Sequence, residues 1–183
     1  MSFVFGFQKR KPFYIIFWII IFVITMFLVF KPVMKIFYPV KYIDIIKKYS
    51  SAYSLDEHMV MAVISTESKF DQNAISRKNA KGLMQLKEKT AIWCMEEFGI
   101  KDDTKDFFNP ELNIRIGCAY LSYLIKKFDG NMDAALSSYN AGEGNVSNWL
   151  SSQGGKLKNI PFEETRNYVK TVNNKTKIYH YLY

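Results

Sequence analysis

Val60, Val63, Ile64 and Glu67 fall at positions i, i+3, i+4 and i+7, so a carboxyl extends the apolar stripe of one helix. Burial and the partial negative charge at a helix C-terminus both favour the protonated form of such a group. A carboxylic acid that keeps its proton near neutral pH is what a general acid requires. The same spacing also fits an acid at a fraying helix end that faces water, and the pattern alone leaves both readings open. Other chemistries find little support. His58 and His180 are far apart in the chain with no ligand spacing around either, and neither Cys94 nor Cys118 has a His or Cys at zinc spacing. There is no GxSxG, no P-loop and no GxGxxG. Metal, nucleophilic-serine and nucleotide chemistry are therefore disfavoured, no cofactor is expected, and carboxylate chemistry remains.

The elements that must position Glu67 are helical. Tyr42, Ile43, Ile46 and Tyr49 fit a short amphipathic helix, and Ser54-x-x-Glu57 has the form of a capping box opening the helix that ends at Glu67. Ser68 to Lys81 is polar, lacks periodicity and reads as a loop. Thr90 to Phe98 forms a helix stopped by Gly99. Asn109-Pro110 places a capping side chain before a proline at the first helical position, opening a helix that runs to near Gly130. Further helices follow over Met132 to Asn140, terminated by Ala141-Gly142, over Glu143 to Leu150, and from Phe162 to about Tyr179. No alternating strand pattern appears, so the fold class is all-α. Cys94 and Cys118 both fall in helices, and free buried thiols are favoured slightly over a disulfide.

Glu67-Ser68-Lys69-Phe70, Asn73-Ala74-Ile75-Ser76, Gly82-Leu83-Met84-Gln85 and Tyr139-Asn140-Ala141-Gly142 occur in order. Asn113-x-x-x-Gly117-x-x-Tyr120-Leu121 lies between them, and Ile160-Pro161-Phe162-Glu163-Glu164-Thr165-x-x-Tyr168-Val169 follows. Together these motifs resemble the soluble lytic transglycosylase catalytic domain, a relative of goose-type lysozyme, over about residues 42–180. One departure stands out: the family usually has a Gly-Ala pair shortly before Gly-Leu-Met-Gln, where this chain has Lys78-Asn79-Ala80-Lys81. That substitution bears on the geometry and charge of the loop, not on the acid.

The resemblance implies a lysozyme-like helical domain with a cleft for the glycan strands of peptidoglycan, and no metal. Glu67 is then the single catalytic acid/base. Ser76 and Gln85 resemble cleft residues near the muramoyl sugar, and Met84 a wall residue. Tyr139 and Asn140 lie beside the reacting sugar, with Glu164 and Tyr168 across the cleft. Taken singly, the two tyrosines also fit ordinary core aromatics. The implied reaction cleaves the β-1,4 bond between N-acetylmuramic acid and N-acetylglucosamine. Glu67 protonates the glycosidic oxygen, then takes the proton of the muramoyl 6-hydroxyl as it closes on C1 to give a 1,6-anhydro product. Intramolecular attack has a high effective molarity, so no second carboxylate is needed as nucleophile or base, although Asp71 and Glu164 are present as possible seconds. A muramidase delivering water, and a non-catalytic membrane-tethered glycan-binding or assembly module, are the alternatives.

Upstream of this domain, Phe13 to Phe30 run 18 residues without a charge. As a helix they span roughly 27 Å, close to the roughly 30 Å hydrocarbon core of a bilayer. The run is longer than a signal-peptide h-region, and Phe30-Lys31-Pro32-Val33-Met34 offers no small-x-small cleavage site. An uncleaved single-pass anchor is expected, with residues 1–12 as a short basic cytoplasmic segment, 13–30 in the lipid bilayer, 31–40 as a linker, and the domain at 41–183 on the cell-wall side of the cytoplasmic membrane. Counting basic residues on either side of the span does not favour this orientation. It rests instead on where the implied substrate lies. Of the net charge of +8, residues 1–40 supply +5, with five basic residues and no acid. The remaining 143 residues carry only +3, from 20 basic and 17 acidic side chains. That balance argues against a nucleic-acid partner.

Overall fold

A computed structural model of the chain describes residues 11–183, and the expected cytoplasmic segment falls almost entirely outside the described residues. The chain divides into two units. The first, residues up to Pro39, is helix α1 (Lys11–Phe37). Its apolar side chains are exposed all round, Trp18 at 64% and Leu28 at 70%. The stretch Tyr14–Phe37 is long and apolar enough to cross a membrane. Thr25, in the uncharged part of this stretch, returns its hydroxyl to the carbonyls of Ile21 and Phe22. The helix does not stop at Phe30. It continues through Pro32, which forfeits one backbone hydrogen bond without ending the helix, so most of the expected 31–40 linker is helical.

The second unit begins at Val40 and holds α2 (Ile43–Ala52), α3 (Glu57–Glu67), β1 (Ala80–Lys81), β2 (Leu86–Lys87), α4 (Glu88–Glu97), α5 (Pro110–Lys127), α6 (Met132–Ala141), α7 (Glu143–Ser152) and α8 (Glu163–Leu182). Helix α5 is its axis: Leu112, Ile114, Ile116, Leu121 and Leu124 are buried, and α2, α4 and α6 pack around it. Its start is as the sequence indicates, with the Asn109 side chain accepting from the N–H groups of Glu111 and Leu112 ahead of Pro110. Trp149 and Val146 of α7 form a second apolar cluster with Ala134 of α6. Cys94 and Cys118 are buried free thiols, and burial pushes the Cys94 thiol up to about 12.

Three readings of the sequence are corrected. Ser54 does not cap α3: it sits in a left-handed turn (φ 56°), and Asp56, extended, accepts the His58 N–H at 2.9 Å, which makes Glu57 the first helical residue rather than the third. The stretch before Gln85 contains half of a short antiparallel hairpin, with Ala80 opposite Lys87 and Lys81 opposite Leu86. Its strands are too short to show alternation. His58 and His180, remote in sequence, stack with ring centroids 4.1 Å apart. They share Asp56, whose Oδ2 lies 2.8 Å from His180 Nε2. Burial alone would raise the Asp56 pKa, but the His58 N–H and the His180 ring outweigh it and hold the carboxyl below its usual range.

Candidate active site

Helix α3 is buried over Met59 to Ile64 and delivers Glu67 at its last position. The chain then turns away sharply. Lys69 (φ 53°) and Phe70 (φ 64°) are both left-handed, a conformation that non-glycine residues seldom adopt. The turn is held by burial of Phe70 and by the Ser68 hydroxyl donating to the Leu83 carbonyl at 2.8 Å. Glu67 is thereby fixed at the base of a cleft of about 680 Å³. Protein encloses most of its carboxyl, and this burial pushes its pKa from 4.5 up to about 7. The opposing influence is Tyr168. Its hydroxyl is buried, has no partner within hydrogen-bonding geometry among the described residues, and lies near enough to the carboxyl to draw the pKa down against that burial. A donor so placed bonds best to the ionised form, so the pair is suited to a carboxyl that alternates between acid and base.

Six of the eight site residues expected from the sequence line this one cleft: Glu67, Ser76, Gln85, Tyr139, Asn140 and Glu164. Each is anchored. The Tyr139 hydroxyl donates to the Met84 carbonyl at 2.8 Å, and burial followed by the charge of Glu67 holds its pKa well above the usual phenol range. Asn140 Oδ1 accepts from the Thr165 hydroxyl at 2.8 Å, which ties α6 to the start of α8. Gln85 spends its side-chain N–H on the carbonyls of Ala74 and Gly82, which leaves its Oε1 for the cleft. Ser76 accepts the Ala80 N–H on its hydroxyl oxygen.

The other two lie behind the surface. Met84 is not a wall residue: it is fully buried against Gly117, where a Cβ would come within 2.2 Å of its Sδ. Its backbone does the positioning, the carbonyl accepting from Tyr139 and the N–H donating to Asn113 Oδ1 at 2.8 Å. Tyr168 backs Glu67 and is buried rather than lining the opposite wall. Asp71 contributes no second carboxylate to the cleft. It accepts from the Asn73 N–H of its own turn and does not line the cavity. The structure also brings in residues that sequence reasoning missed. Phe162 stands on the rim, 48% exposed and edge-on to Trp149 at 5.0 Å. Arg77, Lys78 and Lys87 line the hairpin side.

The departure at Lys78-Asn79 resolves simply. Asn79 adopts φ 61°, a conformation in which glycine is at ease and asparagine is tolerated. The loop is therefore closed by Asn79, and the added lysine changes charge alone.

An all-helical core with a small hairpin, holding one near-neutral carboxyl at the base of a cleft lined by amides, hydroxyls and aromatic rings, defines a lysozyme-like class of domain. The chain belongs to the Transglycosylase SLT domain family, whose model matches residues 44–162. It is 35% identical over 143 residues to the soluble lytic murein transglycosylase of Escherichia coli K12, a match that covers 74% of this chain and 22% of that protein. It is 32% identical over 166 residues to membrane-bound lytic murein transglycosylase C of Edwardsiella ictaluri, covering 76% and 46%. Among solved structures, an inactive Glu→Gln mutant of the lytic transglycosylase Slt of Pseudomonas aeruginosa superposes with a TM-score of 0.75 at 34% identity, over 81% of this chain and 25% of that one. A 70 kDa soluble lytic transglycosylase in complex with bulgecin A is 35% identical, with a TM-score of 0.73, covering 79% and 25%. The chain thus spans less than half the length of these relatives.

Proposed function

We propose that the chain is a membrane-anchored lytic transglycosylase, cleaving the β-1,4 bond between N-acetylmuramic acid and N-acetylglucosamine in peptidoglycan and leaving a 1,6-anhydromuramoyl end. The observation that carries this reading is Glu67. Its carboxyl, with a pKa raised to about 7 in a sugar-sized cleft, holds a proton for the glycosidic oxygen and accepts one from the 6-hydroxyl as the ring closes. Tyr168 stabilises the carboxylate between those two steps. Asn140, held by Thr165, and Tyr139, held by Met84, present fixed polar and aromatic surfaces to the sugars on either side of the bond. The names of its relatives support the same reaction class.

Mass spectrometry of digested peptidoglycan tests the proposal. Anhydromuramoyl ends from the wild-type chain, and their absence with Glu67→Gln, are expected. Reducing ends would identify a muramidase, and no cleavage by the wild type would identify a binding module. Helix α1 is assigned to the bilayer with the domain on the cell-wall side, because the substrate lies there. Added protease should therefore digest the domain in intact wall-stripped cells, and protection until permeabilisation would refute the orientation.

A further inference from the structure

The hairpin side of the cleft carries more positive charge than a sugar chain requires. Ser76, Arg77, Lys78 and Asn79 form a tight turn: the Asn79 N–H donates to the Ser76 carbonyl, the Ser76 N–H to the Ala80 carbonyl, and the Ala80 N–H to the Ser76 hydroxyl, each at 3.0 Å. Arg77 and Lys78 occupy its two central positions and are exposed. Lys87, also exposed, stands directly across the strand ladder from Ala80. All three line the cleft, and among the described residues none makes an ion pair. Lys81, one residue along, shows the contrast, since its Nζ is held 3.0 Å from Glu88. Facing the three cations, the acids that line the cleft are Glu67 and Glu164.

A rigid turn that gathers like charges beside a cleft raises the local concentration of an anionic partner. The β-1,4 glycan itself offers none, because its sugars are neutral and the lactyl carboxyl of the muramoyl residue is consumed in the amide bond to the peptide stem. The anions nearest the cleaved bond are therefore the free carboxylates of that stem. We propose that Arg77, Lys78 and Lys87 form a subsite for the peptide-stem carboxylates, so that strands whose stems keep their negative charge are cut preferentially. This rests on the cleavage reading above and adds the feature of the substrate that is selected.

The test compares peptidoglycan with the same material after its carboxylates are converted to primary amides by carbodiimide and ammonia, which leaves the glycan unchanged. With exposed ion pairs each contributing a few-fold, the full-length wild-type enzyme should favour the charged substrate in kcat/KM by about tenfold at low salt. That ratio should fall to about one in the Arg77→Gln/Lys78→Gln/Lys87→Gln variant, and should survive in the charge-conserving Arg77→Lys/Lys87→Arg variant. If the triple variant fails to fold, the salt dependence of the wild-type enzyme carries the test, because half-molar salt should collapse the ratio. A wild-type ratio of one, or a ratio the triple variant retains, overturns the subsite while leaving cleavage intact. A wild-type enzyme that cuts neither substrate overturns the cleavage reading itself.

Discussion

Replacing Glu67 by Gln should abolish activity and, above neutral pH, make the protein more stable. The carboxyl has a pKa of about 7 in the folded chain against 4.5 for the ordinary group. The stability that its protonated form supports is fully present below the unfolded-state value and is lost as pH rises through about 7. Below pH 4 the acid is neutral in both states, so Glu and Gln should be nearly equivalent. Between about pH 4.5 and 7 the unfolded chain ionises freely while the folded chain resists, and the wild type loses ground. A 2.5-unit shift corresponds to at most ~3.4 kcal/mol, which screening by water at the cleft mouth reduces to about 1–3 kcal/mol. For a domain of this size that is a rise in Tm of roughly 3–10 °C for Glu67→Gln at pH 8. Circular dichroism melts of both full-length chains in the same detergent, at pH 4 and pH 8, measure it. Equal Tm differences at the two pH values, or a wild type that is the more stable at pH 8, would refute the idea that Glu67 is held protonated by burial.

Tyr168→Phe removes the hydroxyl that draws the Glu67 pKa down, so the alkaline limb of the pH–rate profile should move to higher pH. A profile that stays in place counts against the pairing. Asn113→Ala should cost about 2–5 kcal/mol in urea unfolding, since it orphans the Met84 N–H and the carbonyls of Lys81 and Phe107, all behind the cleft wall. A loss under 1 kcal/mol would show that these groups find other partners. Thiol titration of the denatured, unreduced protein should count both Cys94 and Cys118 as free, and a count of zero would contradict their separate burial.

Glu67 was legible because a carboxyl on an apolar stripe is conspicuous, and the start of α5 because Asn109 caps it ahead of Pro110 as the sequence suggests. The hairpin was not legible, since strands of two residues carry no period and are defined by left-handed turns at Gly82 and Gln85. Met84 and Tyr168 were expected at the cleft surface and lie behind it: side-chain type does not reveal that one contributes its backbone and that the other is buried. The His58–His180 contact was invisible because 122 residues separate two rings that only the packing of α8 on α3 brings together.

The family match ends at residue 162, yet the cleft does not. Helix α8 begins at Glu163 and carries Glu164, the Thr165 hydroxyl that fixes Asn140, and Tyr168. It is fastened to α3 along its length, by Lys175 on the Ser65 carbonyl and hydroxyl and by His180 on Asp56. A fragment trimmed to the matched segment would keep the acid and lose both the group that tunes it and the strap that holds its helix. Helix α8 is therefore as much a part of the candidate site as Glu67, and any fusion partner or affinity tag belongs at a distance from His180.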